Sequence, residues 1–380
     1  ADAYAAFWHT ELGIRVGDFQ FVRSLEWVVN DGLMVIFFFV VGLEIRRELH
    51  QGELSEWRRA ALPAAAAIGG MIAPALLYLS VASVPETHSG WGVPMATDIA
   101  FAVGILALLG KRVPAAMRVL LLALAVIDDL GAILVIAIFY ASGVAWAGLA
   151  FALLGIGVTI ALQRFGVRAK LAYVPPALVV WAGVYSAGIH PTIAGVIVGL
   201  LTPVRAWIGP VGLADELQSE LKTLQSVDLE QLPPHELAGT LRQLDFARRE
   251  ALSPVESLIE RLHPWVAYGI MPVFALANAG VSLGGVSWDG ASQRAFSGII
   301  LGLLLGKPLG VLLFTWLTTK SRITVLPIGI GLRHLVVLGT VAGVGFTMAL
   351  FVAQLAFSDP RLLAAAKLGV LVGSGVAAVL

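Results

Sequence analysis

From Leu120 to Phe139 the chain is apolar at every position except two neighbours, Asp128 and Asp129. A helix of about 20 residues crosses the hydrocarbon core of a bilayer, so this pair falls near mid-membrane. One charged side chain at that depth costs roughly 2.5–3.5 kcal/mol on insertion scales, and two cost about 5–7 if both stay ionised. A span with that burden needs partners or a cavity around it. The chain is thereby restricted to folds in which other spans enclose this one, and the chemistry is directed to cations or protons.

Composition extends the argument to the whole chain. It is 58% hydrophobic and 13% charged, with a mean hydropathy of +0.87. Soluble domains carry about 25% charged residues. Apolar stretches repeatedly reach the length of a spanning helix, whereas barrel strands alternate over about 10 residues. The sequence therefore predicts an all-α polytopic membrane protein. Its formal net charge is zero, which supports no nucleic-acid partner. It contains no cysteine, which excludes disulfides, thiolate metal sites and cysteine nucleophiles. The segment Ala1 to Trp8 resembles neither a signal peptide nor a natural start.

Eleven apolar segments are expected, near 26–45, 60–83, 92–109, 115–141, 146–163, 171–187, 189–203, 264–283, 296–319, 332–357 and 361–380. Their connections sort by charge. One side receives Arg46, Arg47, Arg58 and Arg59; Lys111, Arg112 and Arg118; Arg164, Arg168 and Lys170; Arg205 to Arg261; and Lys320, Arg322 and Arg333. The other receives only Arg294 and Arg361 besides the basic residues before the first segment. The positive-inside rule places the basic set in the cytoplasm. Ala1 is then external and the C-terminus cytoplasmic. An external start is most simply repaired by one further helix before Ala1, giving twelve spans.

Two connections have their own pattern. Apolar residues alternate around Gly17-Asp18, which suits an external hairpin over residues 13–22 with glycine first in the turn. A plain loop satisfies the same sequence. Residues 204–263 form a long cytoplasmic insert, with Leu213, Leu217, Leu221 and Leu224, and then Leu237, Leu241 and Leu244, at helical spacing. Ser253-Pro-Val-Glu256 reads as a capping box with proline at the first helical position.

Two segments are interrupted. Pro94 and the pair Thr97-Asp98 break the third, and Gly339, Gly343 and Gly345 with Thr340 and Thr347 break the tenth. Each is the middle member of a triplet, residues 60–141 and residues 296–380. The triplets enter the membrane from opposite sides. This is the pattern of inverted repeats with paired discontinuous helices around a midplane site; glycine used only for helix packing is the competing reading. Lys307 in the ninth segment mirrors Asp128 and Asp129 in the fourth. One lysine cannot neutralise Asp98, Asp128 and Asp129 together. The surplus carboxylates must take up protons or a cation, and competition between the two defines a cation/proton exchanger.

With these residues in place, the chain resembles the NhaA-type sodium/proton antiporters. The resemblance runs through Asn30-Asp31, Val41-Gly-Leu-Glu44 with Arg47-Glu48, Ala96-Thr-Asp-Ile-Ala-Phe101, Ala125-Val-Ile-Asp-Asp-Leu-Gly-Ala132, His190-Pro, His263-Pro-Trp, Phe274-Ala-Leu-Ala-Asn-Ala-Gly-Val281, Gly306-Lys-Pro-Leu-Gly310 and Gly345-Phe-Thr-Met348. It implies an antiporter fold with two crossing discontinuous helices. It also implies a homodimer joined by external hairpins in a bacterial inner membrane. Asp129 would bind sodium or lithium, and Asp128 would share ion and proton binding while pairing with Lys307. Thr97 and Asp98 would lie at the helix crossing. Glu44, Arg47, Glu48 and His263 would tune activity with pH, and His190 matches a pH-response position. The implied activity is electrogenic Na+(Li+)/H+ exchange by alternating access, with no cofactor. Two departures stand out: the length of the 204–263 insert, and the charged positions Glu256, Glu260 and Arg261 before His263.

The rival classes fit less well. An intramembrane aspartyl enzyme needs carboxylates from separate helices, and an Mg2+-dependent transferase needs further acids where Ala132 and Ile133 stand. A cation channel would conduct without coupled proton flux. The expectation is a transporter, not an enzyme.

Overall fold

The computed structural model describes all residues except 1, 18, 111–112, 141–142, 144, 226–238, 240, 243–244, 247–249, 282–287 and 328. It opens with the short helix α1, Asp2–Trp8, and an antiparallel pair, β1 (Glu11–Val16) and β2 (Phe19–Ser24). Val16 pairs with Phe19 and Glu11 with Ser24, so the hairpin is longer than its alternation suggests. Gly17 in the turn has φ +60°, a conformation that costs glycine nothing.

Among the described residues, six helices are long and apolar enough to cross a membrane: α2 (Leu25–Gln51), α3 (Trp57–Val81), α6 (Ala115–Phe139), α7 (Trp146–Arg164), α13 (Gly290–Lys320) and α16 (Pro360–Val379). Two bent pairs pass the same test of length and apolar character when each is taken together. The pair α4 (Pro85–Met95) and α5 (Ile99–Leu108) meets at 47°, and the pair α14 (Leu332–Ala342) and α15 (Phe346–Ala356) meets at 49°. The breaks fall where the Thr-Asp and Gly-rich interruptions stand.

Three of the expected segments correspond to shorter helices. They are α8 (Val174–Ser186), α9 (Thr192–Leu201) and, entered from α11 (Pro254–Trp265) through a π turn at Val266–Ile270, α12 (Met271–Asn278). The end of the 264–283 segment lies outside the described residues. Within the insert, α10 covers Gly209–Gln225, and the second helix expected there falls mostly outside them. Ser253 caps α11 as its sequence predicts: its hydroxyl accepts from the Glu256 N–H, and the Glu256 carboxylate answers the Ser253 N–H.

In lipid, apolar burial does not drive helices together, so close packing through small residues does. Between α3 and α13, Gly69 and Gly310 bring the backbones so near that a methyl group on either would collide with the carbonyl of the other. This seam seats Lys307 against Gly70, whose absent Cβ would lie 3.7 Å from Lys307 Cε. Elsewhere, Leu121 and Leu124 of α6 join Val311 and Leu338 in one buried cluster, while Phe38, Phe274, Leu303 and Phe351 anchor another. The polar centre lies between the elements that supply these clusters.

Candidate cation site

Asp128 and Asp129 lie in the interior of α6, 1% and 2% exposed. They sit about 100° apart around the helix and meet different surroundings. Asp128 Oδ2 accepts from Lys307 Nζ at 2.6 Å, a fully buried ion pair. Its Oδ1 makes no hydrogen bond of ordinary geometry, although Thr97 lies close by. Among the described residues Asp129 has no hydrogen-bond or ion-pair partner. The largest charges that act on it are repulsive, from Asp128, Glu44 and Asp98, against attraction from Lys307.

Lys307 reaches this place because α13 loosens into a π turn at Gly302–Gly306 just before it, with Pro308 next. Such turns often mark functional positions in helices. The ammonium also donates to the carbonyl of Met95, the last residue of α4. That carbonyl belongs to a helix C-terminus, where the backbone leaves acceptors unpaired and a partial negative charge. The Thr97 hydroxyl does similar work for the other broken helix, donating to the carbonyl of Ala342, the last residue of α14, at 2.9 Å.

The opposite helix ends meet Asp98. Its Oδ1 accepts from the Phe101 N–H of α5 at 3.2 Å, and its Oδ2 accepts from the Thr347 N–H of α15 at 3.1 Å and from the Thr347 hydroxyl. One fully buried carboxylate thus caps two helix N-termini, where orphan N–H groups and the dipole favour negative charge. The Asp98 N–H in turn donates to Val344 O at 2.8 Å between α14 and α15, and Phe101 and Phe346 cross edge to face at 4.8 Å. The two breaks therefore touch one another.

The remaining predicted residues are not gathered into one group. Glu44, on α2, is the one whose charge reaches Asp129. Arg47 and Glu48 pair at 3.6 Å further along that helix, and Glu48 also accepts from the Glu53 N–H. His263 is exposed on α11, which packs against α2 through Val255 and Ile259 at Leu43. His190 lies elsewhere, 3.5 Å from Asp31 and 2.8 Å from the Thr192 hydroxyl. Sequence reasoning did not single out Thr347 as the partner of Asp98 or the Met95 carbonyl as the partner of Lys307. The run Gly345-Phe-Thr carried the first signal. Lys367 on α16 is also buried, at 9% exposure.

The chain is similar to known proteins along its whole length. The family described as Na+/H+ antiporter 1 matches residues 1–380. A protein named Na(+)/H(+) antiporter NhaA 2 from Myxococcus xanthus is 67% identical over 379 residues, covering 100% of this chain and 81% of the relative. Its namesake in Pseudomonas putida KT2440 is 50% identical over 384 residues, with 100% and 84% covered. Na(+)/H(+) antiporter NhaA of a Janthinobacterium species is 48% identical over 385 residues, with the same coverage. The chain is a multi-pass membrane protein and belongs to the Na+/H+ antiporter 1 family.

Proposed function

We propose that this chain exchanges sodium or lithium for protons across a bacterial inner membrane, at Asp128 and Asp129, by alternating access. The observation that carries the reading is the imbalance at the site. Two adjacent carboxylates are buried and one ammonium faces them, while among the described residues Asp128 Oδ1 and the Asp129 carboxylate have no hydrogen-bond partner of ordinary geometry. Carboxylate oxygens suit a hard cation, and a proton meets the same need. The two cannot occupy the pair together at full strength, so binding of one expels the other. That competition is the coupling.

In the proposed cycle, cytoplasmic sodium meets deprotonated Asp129 and the free oxygen of Asp128. Lys307, held by the Met95 carbonyl, loosens its bond to the Asp128 carboxylate as the charge on the pair changes. The bent pairs, capped by Asp98 and Thr97, supply helix ends whose partial charges are met by side chains before the ion arrives. The loaded site then opens outward, releases sodium, and returns with protons. On this reading residues 60–141 and 296–380 are inverted repeats, the eleven apolar segments all span, and the basic connections face the cytoplasm. Exchange is electrogenic, more protons entering than sodium leaving. Glu44 tunes it by its field on Asp129, with Arg47, Glu48, His190 and His263 as further pH-responsive groups. The β1–β2 hairpin, which pairs with no further strand among the described residues, joins two copies of the chain.

The test is sodium-driven proton movement in proteoliposomes over a range of pH. Competition predicts that the apparent KM for sodium rises as pH falls. Sodium flux without coupled proton movement would identify a channel instead.

A further inference from the structure

Beyond the exchange site, toward the hairpin end of the molecule, three amide side chains from three helices form a closed hydrogen-bonded ring. The Asn278 amide donates to Asn30 Oδ1 at 2.8 Å and to the Phe274 carbonyl at 2.9 Å. The Asn30 amide donates to Gln354 Oε1 at 3.0 Å and to Asn278 Oδ1 at 3.3 Å. The Gln354 amide donates to Asn278 Oδ1 and, at 3.4 Å, to Glu26. Glu26 is also the carboxylate whose field reaches buried Lys367 on α16. Asn30 belongs to α2, Asn278 ends α12, and Gln354 lies on α15, the same half-helix that begins at the Asp98 cap.

A plug of aromatic rings lies one turn closer to the site. Phe351, 1% exposed, follows Thr347 by four residues on α15 and meets Phe38 at 5.5 Å, Phe274 at 6.0 Å and the His190 ring edge to face at 5.1 Å. From Asp98 outward, α15 therefore presents first a capped helix end, then a ring plug, then the amide ring.

We propose that Asn30, Asn278 and Gln354, with Phe38, Phe274 and Phe351 beneath them, are the outer gate of the exchange path. This inference rests on the exchange reading above and adds to it the contacts that must part for release outside. The gate opens when Gln354 and Phe351 of α15 leave the α2 and α12 side chains that face them. The chemistry suits a reversible closure. Neutral amides trade hydrogen bonds with one another for bonds to water at small net cost. A fully satisfied ring specifies one closed arrangement. A purely apolar seam would leave no hydrogen-bonding groups for the hydrated path. The competing view is a static one, polar residues tying helices together within the membrane, and it makes opposite predictions.

The chain contains no cysteine, so thiols can be placed at will. Asn30→Cys and Gln354→Cys, bridged by a short bifunctional methanethiosulfonate, should stop sodium-driven proton exchange in proteoliposomes, and reductant should restore it. Exchange at the unbridged rate in fully bridged protein would overturn the gate. A second arm needs no transport. With Met34→Cys as reporter, one turn deeper on α2 than Asn30, adding Gln354→Leu should raise labelling by a membrane-impermeant thiol reagent from the outer face at least tenfold. Labelling of a reporter at Ile45→Cys, on the other half of α2, should stay unchanged. No rise at Met34→Cys, or an equal rise at both reporters, would contradict the proposal. Parent flux measured alongside separates the two ideas: without it the exchange reading falls, while the labelling arm still decides whether these residues close the outer face.

Discussion

Lys307 Nζ lies 2.6 Å from Asp128 Oδ2 in a pair with no solvent exposure at the lysine, while Asp129, the next residue, has no partner among the described residues. Removing one member of a buried pair strands the other charge and costs about 3–5 kcal/mol, whereas replacing both by apolar groups of similar size is often near neutral. Lys307→Ala should therefore lower the unfolding free energy in detergent by that amount. Adding Asp128→Leu should recover part of it, the cavity left by the lysine remaining. Chemical denaturation of the two variants beside the parent measures the difference, and additive losses would mean that the pair does not act as a unit.

Asp98 joins the two broken helices through contacts that its removal would orphan. Asp98→Ala leaves the N–H groups of Phe101 and Thr347 without acceptors in a fully buried place. Each unsatisfied group costs about 1–3 kcal/mol, so a loss of about 2–6 kcal/mol is expected. Thr347→Val removes only the hydroxyl's own bond and should cost about 0.5–1.5 kcal/mol. Thermal unfolding should rank the variants in that order, and equal losses would argue against the shared cap.

The seam between α3 and α13 gives a packing test. Gly310→Ala would drive a methyl group into the Gly69 carbonyl, and overpacking of this kind costs roughly 1–3 kcal/mol. It should also impair exchange, because Lys307 lies one turn away on the same helix. Gly157→Ala on α7 meets open space, and should be neutral or gain roughly 0.5–1 kcal/mol from helix propensity. Unfolding and transport assays on the same preparations compare the two.

Outside the membrane, Asp359 caps α16. The Arg361 guanidinium, and then the Arg361 N–H at 2.9 Å, hold its carboxyl below the usual carboxylate range. A group with a depressed folded value contributes stability above its unfolded value and loses it as pH falls through the folded one. Asp359→Ala should therefore melt lower than the parent at neutral pH, with the gap closing in acid. A gap constant with pH would show that the cap acts without its charge. The group is exposed, so the effect is small.

Asp128, Asp129 and Lys307 could be read from the sequence because a charge inside an apolar run has few explanations. The link from Asp98 to Thr347 could not. The partners lie 249 residues apart, and a threonine beside glycines fits helix packing equally well. Segments 171–187 and 189–203 showed their apolar character but not their helix lengths. Gly188, with φ +79°, and Pro191 divide them near His190, and α9 keeps only 10 helical residues. The amide ring was hidden for a related reason. Asn30 and Asn278 stood inside recognisable motifs, yet only the packing of α2, α12 and α15 makes them neighbours of Gln354.

The central claim is that Asp129 holds the cation while Asp128 is tied to Lys307. The most direct measurement is sodium-dependent proton flux in proteoliposomes of the parent and of Asp129→Asn, which keeps the shape and removes the charge. The parent should move protons on addition of sodium, and the folded variant should move none at any sodium concentration or pH. Sodium-dependent flux in Asp129→Asn at the parent's rate would contradict the account.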